Sequence, residues 1–384
     1  MADNRKDWDA WREAEDARSR RKSVSELFSE GYEYYKQSDF RRAAERFRQA
    51  AELAEDQGDL DGQCENLDWE GTCWYRLGKL KQALERLLRA EALSGGDAGV
   101  RFYIVHDLFR VANLLPLPRE QQEELLKKQA PYKGSGQIGG SKSTVLWGEM
   151  KLLQDCGDWR GALDRAQEAF ASQVHSYPSV NDSTYYRELT CCYRENGLLP
   201  EARNTLRDWR AHGSTRFAHT KSWQFLAEAQ ILYAEGRLGA AWDAVRRCQA
   251  EERYLHIHGQ SGPATLTWLI RIAVDTGRLN EAREALPLLF RFHNADSLFE
   301  QYACFYRFAY YYAGLAARLR TGGSGVSRYD TPETAAARAA RWYARAQRTG
   351  RELDSLLKTD VQRKELDKLR AKLSEAGIQE EGKT

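Results

Sequence analysis

The sequence has little proline and almost no net charge, and each shortage excludes a class of protein. Only 8 of the 384 residues are proline, which is low for a loop-rich or disordered chain and favours long, uninterrupted helices. The 58 Lys and Arg residues nearly balance the 56 Asp and Glu residues, so no overall field attracts nucleic acid or an anionic membrane. We therefore expect an all-α protein that has no membrane partner and no nucleic-acid partner.

Long apolar runs and paired cysteines are also missing. No stretch of about eighteen apolar residues occurs that could span a bilayer, and the N-terminal residues lack the apolar core of a signal peptide. The 7 cysteines are odd in number and never have C-x-x-C spacing, as is typical of small core residues in a reducing compartment. The sequence thus predicts a cytoplasmic protein.

Motifs for catalysis and metal binding are absent too. The sequence contains no H-E-x-x-H pattern and no nucleophile elbow. Among the histidines only His256 and His258 are close in sequence, and at that spacing they point to different sides of a helix with no further ligand near them. We expect no enzymatic activity, no cofactor and no metal.

A repeat with a period close to 40 residues runs through the chain. Small residues mark it at successive steps of 40, 79, 40, 39 and 41 residues, so that one step is a double period. An alanine always lies five positions after the small residue, and further packing positions lie nine and twelve positions after the small residue, which places all three on one helical face. A matching stripe lies four and seven positions before the small residue, so each unit is predicted to be a helical hairpin. The small residues, called anchors below, are Ser38, Gly78, Gly157, Gly197, Gly236 and Gly277, and the alanines are Ala43, Ala83, Ala162, Ala202, Ala241 and Ala282.

Each recurring residue type has a physical reason. Glycine suits the turn because it accepts a positive φ at the end of a helix, and alanine lets the second helix approach the first closely. The doubled step predicts a seventh hairpin with helices at 100–114 and 119–130, and the pattern predicts an eighth with helices near 296–319 and 333–349. Because one hairpin cannot bury both of its stripes, neighbouring hairpins are expected to stack.

These residues resemble a known repeat family. Gly71, Trp74, Gly78, Leu80, Ala83, Leu87 and Ala90 resemble a tetratricopeptide repeat, as do Gly31, Tyr34, Phe40, Ala43, Phe47 and Ala50. The resemblance covers residues 24–349 and departs from the family in its longer period and in the missing terminal proline. It implies a right-handed superhelical solenoid of about eight helical hairpins, and a scaffold or adaptor that binds a protein or peptide without catalysis. A bacterial signalling or defence sensor is one form of such an adaptor.

The chain is expected to have three segments. Residues 1–22 form a charged amphipathic helix, residues 23–349 form the repeat domain with loops at 131–142 and 321–331, and residues 350–384 form an amphipathic helix and tail. The two terminal helices are expected to cap the repeats, and self-association through them is the alternative.

A candidate binding surface lies on the first helix of each hairpin, ten, six and three positions before the anchor. In tetratricopeptide arrays this face, called the first-helix face below, lines the concave groove. Its basic and aromatic residues fit a peptide with acidic groups or a C-terminal carboxylate, because Arg can grip a carboxylate with two hydrogen bonds. The predicted peptide-binding residues are Lys151, Gln154, Arg187, Arg194, Gln230, Tyr233, Arg271, Tyr32, Tyr35 and Tyr75.

One glycine-rich segment, residues 133–144, offers a different function. It contains G-x-G-x-x-G and resembles a phosphate-binding loop, but Gly140 and Ser141 separate Gly139 from Lys142, and no strand is expected before it. A linker between repeats is the favoured interpretation, although glycine amides at the start of a helix can also hold an anion. The alternative is therefore a regulatory subunit that binds a small phosphorylated ligand through this loop.

Overall fold

The computed structural model describes residues 22–95, 98–133, 138, 141–174, 182–212, 220–254, 261–355 and 360–378. Within these ranges it has seventeen α-helices and no strand, so the all-α prediction is confirmed. The first six helices are α1 (Val24–Lys36), α2 (Phe40–Gln57), α3 (Leu60–Arg76), α4 (Leu80–Leu93), α5 (Ala98–Ala112) and α6 (Arg119–Gln129). The next six are α7 (Ser141–Asp155), α8 (Trp159–Val174), α9 (Asp182–Glu195), α10 (Leu199–His212), α11 (Thr220–Ala234) and α12 (Leu238–Tyr254). The last five are α13 (Ser261–Asp275), α14 (Leu279–Leu289), α15 (Leu298–Arg320), α16 (Pro332–Ser355) and α17 (Asp360–Glu375).

The chain divides into two compact units, Met1–Val111 and Ala112–Thr384. In the first unit α1 packs on α2, α2 on α3, and α3 on α4. In the second unit the helices pack consecutively from α7 to α14, and α15 packs along α16. The first helices α9, α11, α13 and α15 also contact one another in sequence. Stacked helical hairpins are thus confirmed in each unit.

The six anchors adopt the turn conformation that the repeat predicts. The five glycines have φ between 71° and 76°, and Ser38 has φ 63°. At Gly78 the turn is closed by two backbone hydrogen bonds: Gly78 N–H donates to the Tyr75 carbonyl at 3.0 Å, and Lys79 N–H donates to the Trp74 carbonyl at 2.9 Å. This pattern ends a helix with a left-handed residue. Ser38 is the one anchor without the freedom of glycine, and it adopts the same conformation.

The alanine five positions after each anchor is fully buried in all six hairpins, at 0% exposure. On the facing helix, the residue seven positions before the anchor is buried as well. A Cβ atom added to Gly71 would lie 2.7 Å from Leu87 Cγ, and one added to Gly31 would lie 2.9 Å from Phe47 Cε1. The glycines in these two hairpins therefore make room for the large residue nine positions after the anchor. The sequence showed the stripe but not this pairing of small against large.

The packing stripe varies along the chain at the position four residues before the anchor. Ala273 is fully buried there, and Tyr193 and Leu232 pack against the core, whereas Tyr34 and Trp74 are only half-buried. In the hairpins of Tyr34 and Trp74 the residues three positions before the anchor are the more buried ones, with Tyr35 at 4% and Tyr75 at 8% exposure. The buried stripe of these two hairpins is therefore rotated by about one residue around the helix axis.

The seventh and eighth hairpins have helices close to the predicted places. Helices α5 and α6 match the predicted 100–114 and 119–130, and α15 and α16 match 296–319 and 333–349, with residues 321–331 between them. Helix α16 continues to Ser355 and so passes the expected boundary at residue 350. The expectations for residues 1–21, for residues 134–137, 139 and 140 of the glycine-rich loop, and for His256 and His258 lie outside the described residues.

The C-terminal amphipathic helix packs as part of the second unit. Helix α17 contacts α15 and, less extensively, α16. Leu369 and Leu373 on α17, and Ala376 directly after it, are buried in the same core cluster as residues of α15. Capping of the repeats by this helix stays a prediction.

None of the described helices is both long and apolar enough to cross a membrane.

Candidate functional site

A row of polar contacts joins the first helices of neighbouring hairpins in the second unit. The contacting residues are separated by slightly less than one repeat period: Lys151 and Glu188 by 37 residues, Arg194 and Gln230 by 36, and Tyr233 and Arg271 by 38. Each pair combines a residue of the first-helix face with a residue of the next first helix. The face is therefore a stacking contact between hairpins as well as a candidate binding surface.

Glu188 on α9 is the centre of the first contact. Its Oε2 atom lies 2.7 Å from Lys151 Nζ on α7, and its Oε1 atom accepts a 2.7 Å hydrogen bond from Arg187 Nη2. Gln154 Nε2 donates to Cys192 Sγ at 3.3 Å and lies 3.4 Å from the same carboxylate. Burial alone would raise the pKa of Glu188, but the charges of Lys151 and Arg187 lower it to about 2. Two cations thus share one ionised carboxylate, which leaves this position with a net positive charge.

Arg187 is the most accessible cation of this cluster. Its side chain is 32% exposed, compared with 18% for Lys151 and 6% for Glu188. The guanidinium carbon lies 4.5 Å from the ring centroid of Trp223 on α11, within the range of a cation–π interaction. The indole holds the guanidinium in place while one side stays open to solvent, which suits Arg187 to contact a ligand.

Arg194 forms the second contact, two helical turns after Arg187. Its guanidinium donates to Gln230 Oε1 on α11 and to Glu195 Oε1, the latter at 2.6 Å. It also lies 3.4 Å from Cys191 Sγ. Burial works against the charged form, but the neighbouring Cys191 and Glu195 raise the pKa of Arg194. The charge of Arg194 is balanced by Glu195, so this position contributes less net field than Arg187.

Asp275 on α13 is the centre of the third contact. It accepts a 2.7 Å hydrogen bond from Tyr233 OH on α11 and a 2.5 Å hydrogen bond from Tyr310 OH on α15. Arg271 Nε lies 3.0 Å from the Tyr233 hydroxyl, and its guanidinium lies over the rings of Tyr233 and Trp268. Three first helices therefore meet at one carboxylate.

The first unit has a different first-helix face, rich in aromatic rings. Tyr32 and Tyr35 stack with their ring planes nearly parallel, and Trp69 meets both edge-on at 5.3 and 5.2 Å. Further along, Arg110 lies 4.5 Å from the Tyr75 ring. Arg110 also pairs with Asp107 at 2.5 Å, and Asp107 accepts a hydrogen bond from Thr72 at 2.8 Å. Burial opposes ionisation of Asp107, but the charge of Arg110 keeps the pKa of Asp107 below its usual value.

The ten predicted peptide-binding residues are all at least half-buried. None of them is exposed: Tyr35, Tyr75, Gln154 and Arg271 are buried, and the other six, Tyr32, Lys151, Arg187, Arg194, Gln230 and Tyr233, are half-buried. The reason is that neighbouring first helices stack closely enough for side chains of one to reach the next. Tyr32, Tyr35 and Tyr75 belong to the first unit, and the other seven belong to the second. The role of these residues in peptide binding stays a prediction.

Sequence reasoning missed the residues that organise the contacts. Glu188 and Asp275 were not singled out, although Glu188 contacts the predicted Lys151 and Arg187, and Asp275 accepts a hydrogen bond from the predicted Tyr233. A search for complementary polar residues 35 to 38 positions apart would have found the Lys151–Glu188, Arg194–Gln230 and Thr72–Asp107 pairs. This separation is shorter than the period because the partner lies a few residues before the equivalent position on the next first helix.

A buried thiol cluster lies away from this row. Cys248 Sγ is 3.2 Å from Thr265 Oγ1 and 3.0 Å from the Ser222 carbonyl oxygen, and Thr265 donates to Glu252 Oε1 at 2.7 Å. Burial raises the pKa of the Cys248 thiol, so the neutral thiol is favoured at neutral pH. The cluster serves packing. Over the part of the chain that the structure describes, no group of three or more His, Cys, Asp and Glu side chains could hold a metal ion.

Comparison of the sequence with protein-family models and with curated proteins finds no match. Solved structures do match. The crystal structure of a Rap protein complexed with competence and sporulation factor is 13% identical, with a TM-score of 0.53, and the match covers 92% of this chain and 99% of that one. A tetratricopeptide repeat protein from Parabacteroides merdae is 14% identical, with coverages of 77% and 97% and a TM-score of 0.40. Yeast Tom70 is 11% identical, with coverages of 94% and 92% and a TM-score of 0.34. Together with the hairpin geometry, the first of these matches shows a tetratricopeptide-like helical-repeat fold.

Proposed function

We propose that this protein is a non-enzymatic scaffold or adaptor that binds a protein or an extended peptide, and that the first-helix face of its second unit receives carboxylate groups of that partner. A cytoplasmic sensor in a bacterial signalling or defence system is the biological role we favour. The Rap structure that resembles this chain is a complex with competence and sporulation factor. A fold of this kind and length therefore has room for a bound factor.

The Glu188 cluster is the observation that carries the proposal. Lys151 and Arg187 both contact Glu188, so one carboxylate is matched by two cations. A second carboxylate, supplied by a ligand, would restore the balance without removing any contact within the protein. Arg187 can donate from its open side, and charge-assisted hydrogen bonds of this kind are among the stronger polar contacts in proteins.

Four other predicted residues of the second unit divide into two roles. Gln230 and Tyr233 are half-buried and are proposed to contact the ligand. Arg271 and Gln154 are buried, at 3% and 8% exposure, and are proposed to position their neighbours. The glycine-rich segment 133–144 stays the basis of the alternative function, a regulatory subunit for a small phosphorylated ligand.

A peptide panel tests the proposal directly. Fluorescein-labelled extended peptides would carry none, two or four Glu residues, and each would end in either a free carboxylate or an amide. Fluorescence anisotropy with the full-length protein should show affinity that rises with the number of carboxylates and falls with added salt. Affinity that is independent of carboxylate number would remove the basis for an acidic partner. Inorganic phosphate and nucleotides, added as competitors, would test the alternative loop.

A further inference from the structure

We infer that helices α13, α15 and α16 form a docking surface for an amphipathic helix with the pattern Leu-x-x-Lys-Leu-x-x-Ala, and that the chain's own C-terminal helix occupies it. A partner helix of the same chemistry would bind there by displacing α17. This surface and the Glu188 cluster differ in location and in the charge they attract, so the inference does not depend on the proposed peptide site.

The apolar part of the contact is narrow and regular. Leu369 and Leu373 of α17 are 0% and 2% exposed and Ala376, directly after the helix, is 0% exposed, while Ala371 and Ser374 between them are exposed. The three buried residues are spaced four and three positions apart and so form one stripe on the helix. A single stripe of this kind is how an amphipathic helix seats in a groove on another protein.

The polar part adds charge complementarity. Lys372 Nζ lies 3.6 Å from Asp275 Oδ1 and 5.7 Å from the ring centroid of Tyr310. Arg370 Nε donates to Tyr343 OH at 3.2 Å. The surface thus offers a carboxylate, an aromatic face and a phenol to two basic side chains of the docked helix. An acidic helix would meet the wrong charge at Asp275.

Helix α17 packs chiefly on one neighbour. Its main contact is with the first helix α15, just as α15 contacts the first helix α13 more than α14, and its contact with the second helix α16 is small. Lys372 reaches past α15 to Asp275 on α13, the first helix of the preceding hairpin. Asp275 also binds Tyr233 and Tyr310. A helix docked here therefore shares a carboxylate with the row of first helices.

The experiment uses the full-length chain and a labelled synthetic peptide of residues 360–378. The undocking variant is Leu369→Glu with Leu373→Glu, which removes the apolar stripe. Its matched control is Ala371→Glu with Ser374→Glu, which makes the same change of charge at two exposed positions of the same helix. Fluorescence anisotropy would measure peptide binding to the wild type and to both variants, and hydrogen exchange would report which helices remain folded.

The undocking variant should bind the peptide at least about tenfold more tightly than the wild type or the control, because its own helix no longer competes. A peptide carrying Lys372→Glu should bind at least about tenfold more weakly than the native peptide, since it loses the Asp275 contact. If α13, α15 and α16 stay protected from exchange and the variant still fails to bind the peptide, the inference is wrong.

A milder variant covers the case in which the double substitution unfolds the second unit. Lys372→Ala in the full-length chain should accelerate exchange of the amides in 367–378 by roughly threefold or more, because the docked helix then opens more often. Exchange in 298–320 should not change. An equal acceleration in both segments would show that α17 is an inseparable part of the core and would overturn the inference.

Discussion

The ammonium group of Lys151 lies 2.7 Å from the carboxylate of Glu188, which belongs to the next hairpin, 37 residues further along the chain. The same carboxylate also binds Arg187. Removing Glu188 would leave two neighbouring cations without their shared partner, whereas removing Arg187 would leave the Lys151–Glu188 pair intact. Substitution of Glu188 therefore tests stability, and substitution of Arg187 tests ligand binding.

Replacement of Glu188 should destabilise the second unit in a pH-dependent way. The pKa of this carboxyl is about 2 in the folded protein, against a usual value of 4.5. This difference stabilises the folded protein by at most about 3 kcal/mol. Because the folded pKa is the lower one, this stabilisation is fully present above pH 4.5 and is lost as the pH falls toward 2. Urea denaturation of Glu188→Gln and wild type should differ most at pH 7 and converge as the pH falls through about 2. A constant difference over this range would contradict the assignment.

Replacement of Arg187 should weaken binding with little effect on stability. In Arg187→Gln the cation over Trp223 becomes a neutral amide that can still donate to Glu188, so the affinity for the four-Glu peptide should fall about tenfold. The salt dependence of binding should also decrease, since one cation no longer takes part. Arg207→Gln is the control, because Arg207 is 74% exposed and lies on the second helix α10. Equal losses in both variants would indicate a general charge effect in place of a site.

The close approach of Gly71 to Leu87 predicts a packing defect. A methyl group at Gly71 would lie 2.7 Å from Leu87 Cγ, so Gly71→Ala should destabilise the first unit by about 1–3 kcal/mol. Gly239→Ala is the matched control, since nothing lies within 4 Å of its added Cβ, and it should be neutral or stabilising by up to about 1 kcal/mol. Thermal denaturation measures both. Additive effects of Gly71→Ala and Leu87→Ala in a double-mutant cycle would show that the two residues do not interact.

Ser38 holds the turn conformation that glycine holds at the other anchors. Its φ of 63° is unfavourable for a residue with a Cβ atom, so Ser38→Gly should stabilise the first unit by about 0.5–1 kcal/mol. The reverse change, Gly78→Ser, should destabilise it by a similar amount, because nothing lies within 4 Å of a Cβ atom added at Gly78 and the backbone conformation alone opposes the serine. Denaturant unfolding of the two variants should therefore shift the midpoint in opposite directions. A loss of stability in Ser38→Gly would mean that contacts of the serine outweigh the strain.

The repeat was visible in the sequence because local helix geometry determines its residues. In six of the hairpins an anchor with positive φ is followed by an alanine five positions later, and both follow from helix geometry alone. The first-helix face could not be resolved in the same way. Whether Arg271 or Arg187 is accessible depends on how far one hairpin rotates against the next, and the position of Glu188 matters only once that rotation is known. Contacts between residues of different repeats can be predicted only when the distance between the repeats is known. The length of the sequence period does not give that distance.

The polar pairs are separated by slightly less than one repeat period, and this short separation affects how the second unit folds. Lys151 and Glu188, or Arg194 and Gln230, close segments of 37 and 36 residues, so their pairing restricts only a short stretch of chain at a time. A topology dominated by such neighbours has low contact order, which favours fast folding that can begin at any hairpin and spread to the next. The contact between Asp275 and Lys372 spans 97 residues, from 275 to 372. We expect this closure to form after the hairpins have stacked, and to be the first to open when the protein is stressed.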